Sequence, residues 1–440
     1  MSCNFFAMSE TELHRNLDEL RRQYETIQGM KLSLDMSRGK PSPRQLGISD
    51  KLLNVLTCGE DCQTEDGFDT RNYGLPDGVP ELLRIFADLL GVTEEQIILG
   101  GNSSLSFMYD AVCRAMLFGT DGTSAPWKDQ KNIKFLCPAP GYDRHFAISE
   151  RFGIEMIPIR MTGNGPDMDA VEEYVRSDAS VKGMWCVPKY SNPTGETYSS
   201  ETIRRIAALC PAAPDFRVFW DMAYTLHDID ETPDFLENIF SLTRGTRNEN
   251  LVLGFFSTSK ITYAGAGIAA MVSSTDNIRR AKKEIAFQTI SPDKTNQLRH
   301  AKYLENAENV RAIMKRHAAI LKPKFDTVTR IFKEELGDCG FAFWTEPHGG
   351  YFLSLDVLPG TARRTVELCK NVGVTLTPAG STFPYRKDPE DKNIRIAPSY
   401  PEIHELETAM RVVCTCAKLA AAEALIEKKE NGNSAGTPGV

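Results

Sequence analysis

The sequence predicts an α/β fold with a large domain on a mostly parallel seven-stranded sheet, followed by a smaller α+β domain. Short apolar runs alternate with helix-like stretches from residue 51 to residue 296. Long helical stretches and a few more short strands then occupy residues 297–429. The composition is that of a globular protein, since 41% of the 440 residues are hydrophobic and 25% are charged. A chain of this kind can bury a large core.

Residues 1–50 predict an N-terminal helix and an arm that pack with the small domain. The apolar pattern of residues 9–30 is that of one amphipathic helix, and Ser9 and Glu12 have the spacing of a capping box. The following segment, 34–43 (LDMSRGKPSP), is rich in turn-forming residues. We therefore expect an irregular arm between this helix and the large domain.

The large domain, residues 51–296, contains seven short apolar runs that are bounded by turn signals. These candidate strands are residues 96–99, 134–137, 154–158, 183–187, 217–220, 251–255 and 268–273. Because helix-like stretches separate them, most neighbouring strands are expected to be parallel.

Residues 297–429 predict an interdomain helical region and the small domain. Residues 297–335 are rich in helix-forming Ala, Lys, Arg and Glu. Strands are then expected at 341–344, 351–356 and 393–397, with a helix from Ala362 and a last helix over 402–429. Residues 430–440 (ENGNSAGTPGV) have few apolar groups and predict a disordered tail.

Charge and cysteine usage argue against several classes of protein. A net charge of -8 without a basic block disfavours nucleic-acid binding. Eleven cysteines without a Cys-x-x-Cys pair predict a reduced protein with no metal site. The chain shows neither an apolar run of membrane-spanning length nor the pattern of a signal peptide. We therefore expect a cytoplasmic protein that binds neither nucleic acid nor membranes.

Four short motifs carry the chemistry of the chain. In order they are 190–195 (YSNPTG), 219–224 (FWDMAY), 257–260 (STSK) and 393–396 (NIRI). The first three place polar side chains just past an apolar run, which is where ligands bind in open α/β sheets. Each motif alone has an ordinary structural explanation as a turn, a helix cap or a surface lysine. Their order and spacing make the set specific.

With these motifs the chain resembles the class I aminotransferases of fold type I, the pyridoxal-phosphate-dependent aspartate aminotransferase superfamily, over residues 34–420. The segments 259–267 (SKITYAGAG) and 393–398 (NIRIAP) are similar to the divergent class Ic subgroup. The resemblance implies transfer of an amino group between L-aspartate, or a similar amino acid, and 2-oxoglutarate. It also implies pyridoxal 5'-phosphate as cofactor, a pyridoxamine phosphate intermediate, and a homodimer with shared active sites.

The resemblance assigns roles to the residues that would contact the cofactor ring. Lys260 would form a Schiff base with the cofactor and later move the proton from the substrate Cα. Asp221 would keep the pyridine nitrogen protonated, so that the ring can accept electrons. Asn192 and Tyr224 would hydrogen-bond the phenolic oxygen of the ring. Tyr142 would stack on the ring, although a core tyrosine in a proline-rich turn is an alternative.

A second set of residues matches the family's phosphate site. Asn102, Ser103 and Ser104 come after a predicted strand and open a helix, where backbone amides can hold a phosphate. The remaining members of the set are Ser257, Ser259 and Tyr73, the last reaching the phosphate from the neighbouring subunit. The family's phosphate-binding Arg is missing, because Ile268 occupies its position. What replaces its charge is left open.

Arg395 would hold the substrate α-carboxylate with two parallel hydrogen bonds. Gly39 and Asn192 match residues near the same carboxylate. A dicarboxylate substrate needs a second cation, and the sequence does not choose among the candidates, which are Lys294, Arg299, Arg144 and Lys189.

Two other functions remain open at this stage. Another fold type I enzyme, such as a β-lyase or a decarboxylase, keeps the same Lys, Asp and Asn set. A non-catalytic ligand-binding protein, like the aminotransferase-like domains of some transcriptional regulators, would carry a basic N-terminal domain. The segment 265–270 (GAGIAA) also fits a dinucleotide-binding fingerprint. That fingerprint should open a helix, whereas a strand is predicted at 268–273.

Overall fold

The computed structural model describes residues 4–434. Its strands are β1 (Leu34–Asp35), β2 (Ile97–Leu99), β3 (Lys134–Ala139), β4 (Glu155–Arg160), β5 (Val181–Cys186), β6 (Arg217–Asp221), β7 (Val252–Ser257), β8 (Ala269–Val272), β9 (Phe343–Trp344), β10 (Leu353–Asp356), β11 (Val374–Thr375) and β12 (Asn393–Ile396). Its α-helices are α1 (Glu10–Gly29), α2 (Pro43–Leu46), α3 (Pro80–Leu90), α4 (Ser104–Phe118), α5 (Asp143–Arg151), α6 (Met168–Ser177), α7 (Ser200–Ala207), α8 (Ile239–Thr243), α9 (Thr275–Gln288), α10 (Lys294–Leu304), α11 (Ala307–Leu336), α12 (Ala362–Asn371) and α13 (Ile403–Ser434). Among these helices none combines the length and the apolar character needed to cross a membrane.

The large domain is built on a seven-stranded sheet in the order β2-β8-β7-β6-β5-β3-β4. The neighbouring strands from β7 to β4 are parallel, and β8 is antiparallel to both β7 and β2. Each of the seven candidate strands corresponds to a strand of this sheet. The predicted fold class is therefore confirmed. The strand β8 also occupies the place where a dinucleotide fingerprint would require a helix.

Helices cover both faces of this sheet. Successive residues of a strand point to opposite faces, so neighbouring residues of one strand pack against different helices. In β5, Met184 packs into an apolar cluster with Phe86 of α3 and Ala301 of α10. Its neighbour Trp185 packs into a second cluster on the other face, which contains Val112 of α4. Both faces of the sheet are thus buried, as the continuous apolar strand runs require.

The small domain contains the antiparallel sheet β12-β10-β9 and the parallel pair β1-β11. The N-terminal helix α1 begins with the predicted capping box, in which Ser9 N–H donates to the Glu12 carboxylate over 2.8 Å. Leu13 and Leu17 of α1 lie in the same apolar cluster as Val413 of α13. The arm that follows pairs with β11 through β1, so it is bound to the small domain.

The 30-residue helix α11 belongs to the cores of both domains. Val310 and Ile313 lie in a large-domain cluster, whereas Leu321 and Phe325 lie in the small-domain cluster. The apolar core divides within this helix, and α10 packs on the large domain, so the domain bounds drawn from the sequence stay a prediction. The predicted tail begins too early, because α13 continues to Ser434. Residues 435–440 lie outside the described residues.

Candidate active site

The motifs identified in the sequence meet between the two domains. β6 ends at Asp221 and β7 ends at Ser257, at the carboxyl edge of the parallel strands. In the small domain, Arg395 of β12 donates from Nη1 to Asn192 Oδ1 over 3.2 Å. Since Asn192 follows β5, this hydrogen bond brings the small domain to the same edge of the sheet. Ligands bind at this edge in α/β folds.

Lys260 lies in a turn just after β7, between two aromatic rings. Its Nζ is 4.9 Å from the centre of the Tyr224 ring and 5.9 Å from that of Tyr351. Burial lowers the pKa of the Lys260 amine, and the nearby Asp221 carboxylate partly opposes this effect. A lowered pKa raises the neutral fraction of the amine, which is its nucleophilic form.

Three buried histidines hold the turn that carries Lys260. The contacts join His227 Nε2 to the Lys260 carbonyl (3.4 Å), His317 Nε2 to the Ile261 carbonyl (2.9 Å) and His300 Nε2 to the Thr262 hydroxyl (2.9 Å). Burial is the main cause that lowers the pKa of all three imidazoles. They are therefore neutral at pH 7 and position the turn without adding charge. These histidines could not be predicted from the sequence, because they come from separate elements and share no local motif.

Asp221 is held in one orientation by its neighbours. The carboxylate accepts the Ala223 N–H over 3.1 Å and lies 3.1 Å from His145 Nε2. The His145 ring in turn stacks on Trp185, with ring centres 4.5 Å apart and an interplanar angle of 9°. His145 was also missed in the sequence. The sequence feature that could have indicated His145 is its place three residues after Tyr142, because this spacing puts the two side chains on one side of the first turn of α5.

Tyr142 and Tyr224 lie beside this carboxylate. Burial, with a smaller contribution from Asp221, raises the pKa of Tyr142 to about 12. Burial also raises the pKa of Tyr224 well above its usual value. Both hydroxyls therefore stay protonated at neutral pH and are able to donate a hydrogen bond. Tyr142 is half-buried, and its assignment as a stacking ring stays a prediction.

All residues of the predicted phosphate site except Tyr73 come together at the start of α4. Ser103 is the N-cap of this helix, which begins at Ser104, and within residues 4–434 its side chain forms no capping hydrogen bond to the first turn. Ser259 Oγ donates to the Asn102 carbonyl over 3.0 Å and lies 3.1 Å from Ser257 Oγ. Hydroxyls beside an open helix N-terminus form a suitable cup for a phosphate.

Ile268 lies in the core beside this cup. Its side chain is buried against the large-domain cluster, and its N–H donates to the Thr258 hydroxyl over 2.9 Å. The position usually taken by the family's Arg is thus part of the folded core. The donors that the structure gathers around the cup are hydroxyls and amides.

Arg395 is buried and has several partners. Nη1 lies 3.1 Å from Asp143 Oδ1, in addition to its bond to Asn192, and Nη2 donates to Thr377 Oγ1 over 3.2 Å. The guanidinium carbon lies 5.0 Å from the centre of the Phe352 ring. Asp143, which the sequence analysis did not single out, occupies a donor that a substrate carboxylate would use. A bound carboxylate would therefore have to displace it.

Gly39 places the arm directly against this arrangement. A Cβ at Gly39 would overlap the Phe352 ring, which also lies against the Arg395 guanidinium. The glycine thus allows the arm to close one side of the pocket. Tyr73, by contrast, is 74% exposed, so its role across a subunit interface stays a prediction.

The four candidate cations for a distal carboxylate differ in their surroundings. Lys189 is already paired with Asp228, with 2.6 Å between Nζ and Oδ1. Lys294 is buried, and burial lowers its pKa, whereas Arg144 is exposed on α5. Arg299 has a buried Nε without a hydrogen-bond partner. Within residues 4–434, Lys294, Arg144 and Arg299 form no ion pair.

Comparison with known proteins decides the family. The family model described as aspartate amino-transferase matches residues 8–429. The chain belongs to the aspartate aminotransferase family. An aspartate aminotransferase of Corynebacterium glutamicum is 48% identical over 407 residues, which cover 92% of this chain and 94% of that protein.

Solved structures agree with this assignment to the aspartate aminotransferase family. The crystal structure of an aspartate transaminase from Corynebacterium glutamicum has a TM-score of 0.92 and 46% identity, covering 95% of this chain and 99% of that one. An α-aminoadipate aminotransferase of Thermus thermophilus shares the fold, with a TM-score of 0.71 and 19% identity over 89% and 93% of the two chains. The resemblance drawn from the motifs is confirmed, and the chain is an aminotransferase.

Proposed function

We propose that the protein transfers an amino group between L-aspartate and 2-oxoglutarate, with pyridoxal phosphate held by Lys260. The observation that carries this proposal is a buried amine of lowered pKa near Asp221, at the sheet edge where Arg395 of the small domain reaches Asn192. The 48% identical relative that is an aspartate aminotransferase supports the choice of substrate.

The residues present fit pyridoxal phosphate. Asp221 offers a buried carboxylate for a protonated pyridine nitrogen, and Lys260 offers an amine for the cofactor's aldehyde. Ser257, Ser259 and the open amides at the start of α4 fit a phosphate, although Ile268 leaves the cup without the usual cation. When bound, the cofactor supplies an electron-accepting ring that stabilises negative charge at the substrate Cα.

The protein's own residues then bind the substrate and move the proton. Arg395 would exchange its contact with Asp143 for the substrate α-carboxylate, while Asn192 continues to orient the guanidinium. Lys260, once free, is the base that takes the proton from Cα, because its lowered pKa keeps part of it neutral. The three histidines beneath the turn fix the position from which it acts.

We further propose that the active form is a cytoplasmic homodimer. Tyr73 is exposed in a single chain, and the family resemblance assigns it to the cofactor site of the neighbouring subunit. Among the described residues, the exposed Cys58 and Cys210 are free thiols, which supports a reducing compartment.

An absorption spectrum of the purified protein tests the reaction. We expect the yellow band of bound cofactor to disappear on addition of L-aspartate and to return with 2-oxoglutarate. Lys260→Ala should lack this response, whereas Lys315→Ala, which removes an exposed lysine of α11, should behave like the parent.

The alternatives give other outcomes in the same experiment. Parent-like turnover by Lys260→Ala would overturn the proposed mechanism. A band that responds to aspartate but is not restored by 2-oxoglutarate would instead indicate a β-lyase or a decarboxylase.

A further inference from the structure

A cleft of about 530 Å³ lies at the opposite edge of the large sheet from the candidate active site. It is formed between the last two turns of α4 and the first three turns of α9. Arg217, the first residue of β6, lines it, whereas Asp221 ends the same strand at the active-site edge. Four residues of a strand span about 13 Å, so the two sites are separate.

The cleft is strongly cationic. Its basic lining residues are Arg114, Arg217, Arg279, Arg280 and Lys283. The carboxylates that line it are Asp276 and Glu284, and Asp276 is already paired with Arg279 over 2.6 Å. The positive charge in the cleft is thus largely uncompensated, and a concave basic surface concentrates anions.

Arg217 is buried and forms no ion pair within residues 4–434. Only 4% of it is exposed, and its Nη1 donates to two nearby backbone carbonyls over 2.7 and 3.2 Å. Asp121 and Asp215 partly oppose the effect of burial on its charge, and both have other partners: Asp215 pairs with Lys182 over 2.6 Å, and Asp121 accepts the Ser124 N–H over 2.7 Å. Burial accordingly lowers the pKa of Arg217 to about 10. A buried charge of this kind is costly until an anion pairs with it.

Arg114 presents a second sunken guanidinium to the same cleft. The Arg114 Nη2 donates to Met271 Sδ over 3.9 Å. Arg114 has no ion pair in the part of the chain that the structure describes. Burial lowers its pKa as well. At the rim, the Arg280 guanidinium lies directly against Gly122, and the lack of a Cβ at this glycine leaves room for it. Gly122 has a positive φ of 74°, which favours glycine at this turn.

We propose that this cleft binds a small phosphate-bearing molecule. Two unpaired guanidinium groups need two negative charges, which one phosphate dianion supplies, and the flat fork of arginine suits its oxygens. The N-terminal end of α9 contributes residues 276 and 277 to the lining, so the helix dipole favours the same charge. The volume is that of a small-molecule site. The proposal does not depend on the proposed reaction.

Isothermal titration with inorganic phosphate tests the site, using protein loaded with pyridoxal phosphate, freed of excess cofactor and kept at constant ionic strength. We expect saturable binding that Arg280→Ala weakens about tenfold and Arg217→Met abolishes. Arg311→Ala removes the same charge from an exposed position on α11 and should leave the affinity unchanged.

Phosphate that does not saturate would overturn the proposal, as would Arg280→Ala and Arg217→Met variants that bind as tightly as the parent. Circular dichroism checks that each variant is folded. If Arg217→Met does not fold, the double variant Arg114→Met with Arg280→Ala takes its place, and parent-like affinity in that variant would also refute the site.

Discussion

We expect acidification from pH 6.5 towards pH 4 to destabilise the protein through His300. This side chain is fully buried on α10, where Nδ1 donates to the Asn296 carbonyl over 2.8 Å. Its Nε2 is then left to accept from the Thr262 hydroxyl at 2.9 Å, in the turn that follows Lys260. Burial is the largest cause that lowers the pKa of His300, from 6.5 to about 4.

The sign and the size follow from proton linkage. The unfolded chain binds a proton at His300 below pH 6.5, whereas the folded chain binds it only below about pH 4. The contribution of His300 is therefore complete above pH 6.5 and is lost as the pH falls towards 4. A difference of about 2.5 pKa units corresponds to about 3 kcal/mol, of which about 2.5 kcal/mol is lost by pH 4.5. This is a large part of a typical net stability of 5–15 kcal/mol.

Urea unfolding at pH 7 and pH 4.5 measures this loss. His300→Asn keeps a polar side chain but removes the titrating group, so its free energy of unfolding should fall about 2.5 kcal/mol less between the two pH values than that of the parent. His14→Asn, at an exposed position on α1, is the matched control and should follow the parent. Equal losses in the parent and His300→Asn would refute the reasoning.

Three further predictions concern the site. Arg395→Ala should raise the KM for L-aspartate by the equivalent of about 2–4 kcal/mol, because it breaks one side of a buried charged contact; an unchanged KM in steady-state assays would place the carboxylate elsewhere. Gly39→Ala should push the aromatic ring beneath Arg395 and raise the KM at least about fivefold, at a packing cost of about 1–3 kcal/mol. Gly29→Ala, where a Cβ meets nothing within 4 Å, is its control, and equal KM values would contradict the prediction. Tyr73→Ala mixed with Lys260→Ala should regain activity after subunit exchange, because one site of the hybrid dimer carries neither change; a mixture that stays inactive would argue against a shared site.

Most of the sheet could be predicted from the sequence, for a physical reason. A strand buried on both faces is a short continuous apolar run, and such runs contrast sharply with the polar turns around them. The functional side chains at the ends of β6 and β7 were found with them. Asp221 and Lys260 follow directly from where those runs stop.

The supporting residues could not be predicted in this way. His227, His300 and His317 lie on separate elements, and only the folded chain brings them to one turn. Asp143 likewise meets Arg395 across the domain boundary, 252 positions away in the sequence. Contacts of this range leave no local pattern, so they have to be observed in the structure.

The sequence also does not predict where within α11 the apolar core divides, for a different reason. Both halves of the helix present the same periodic apolar stripe, and periodicity does not tell which core a stripe joins. The predicted boundary at residue 297 rests on a change in composition and stays a prediction.

The helix α11 also has a mechanical consequence. Its 30 residues form a rod of about 45 Å that is anchored in both domains. A rotation of one domain relative to the other would therefore bend this helix. Pro323 lies inside the helix, two positions after Leu321, where the small-domain core begins. A proline removes one hydrogen bond from the helix and makes the rod least stiff there. Because Arg395 belongs to the small domain and Lys260 to the large domain, any bending of the rod at this point would change the distance between these two side chains.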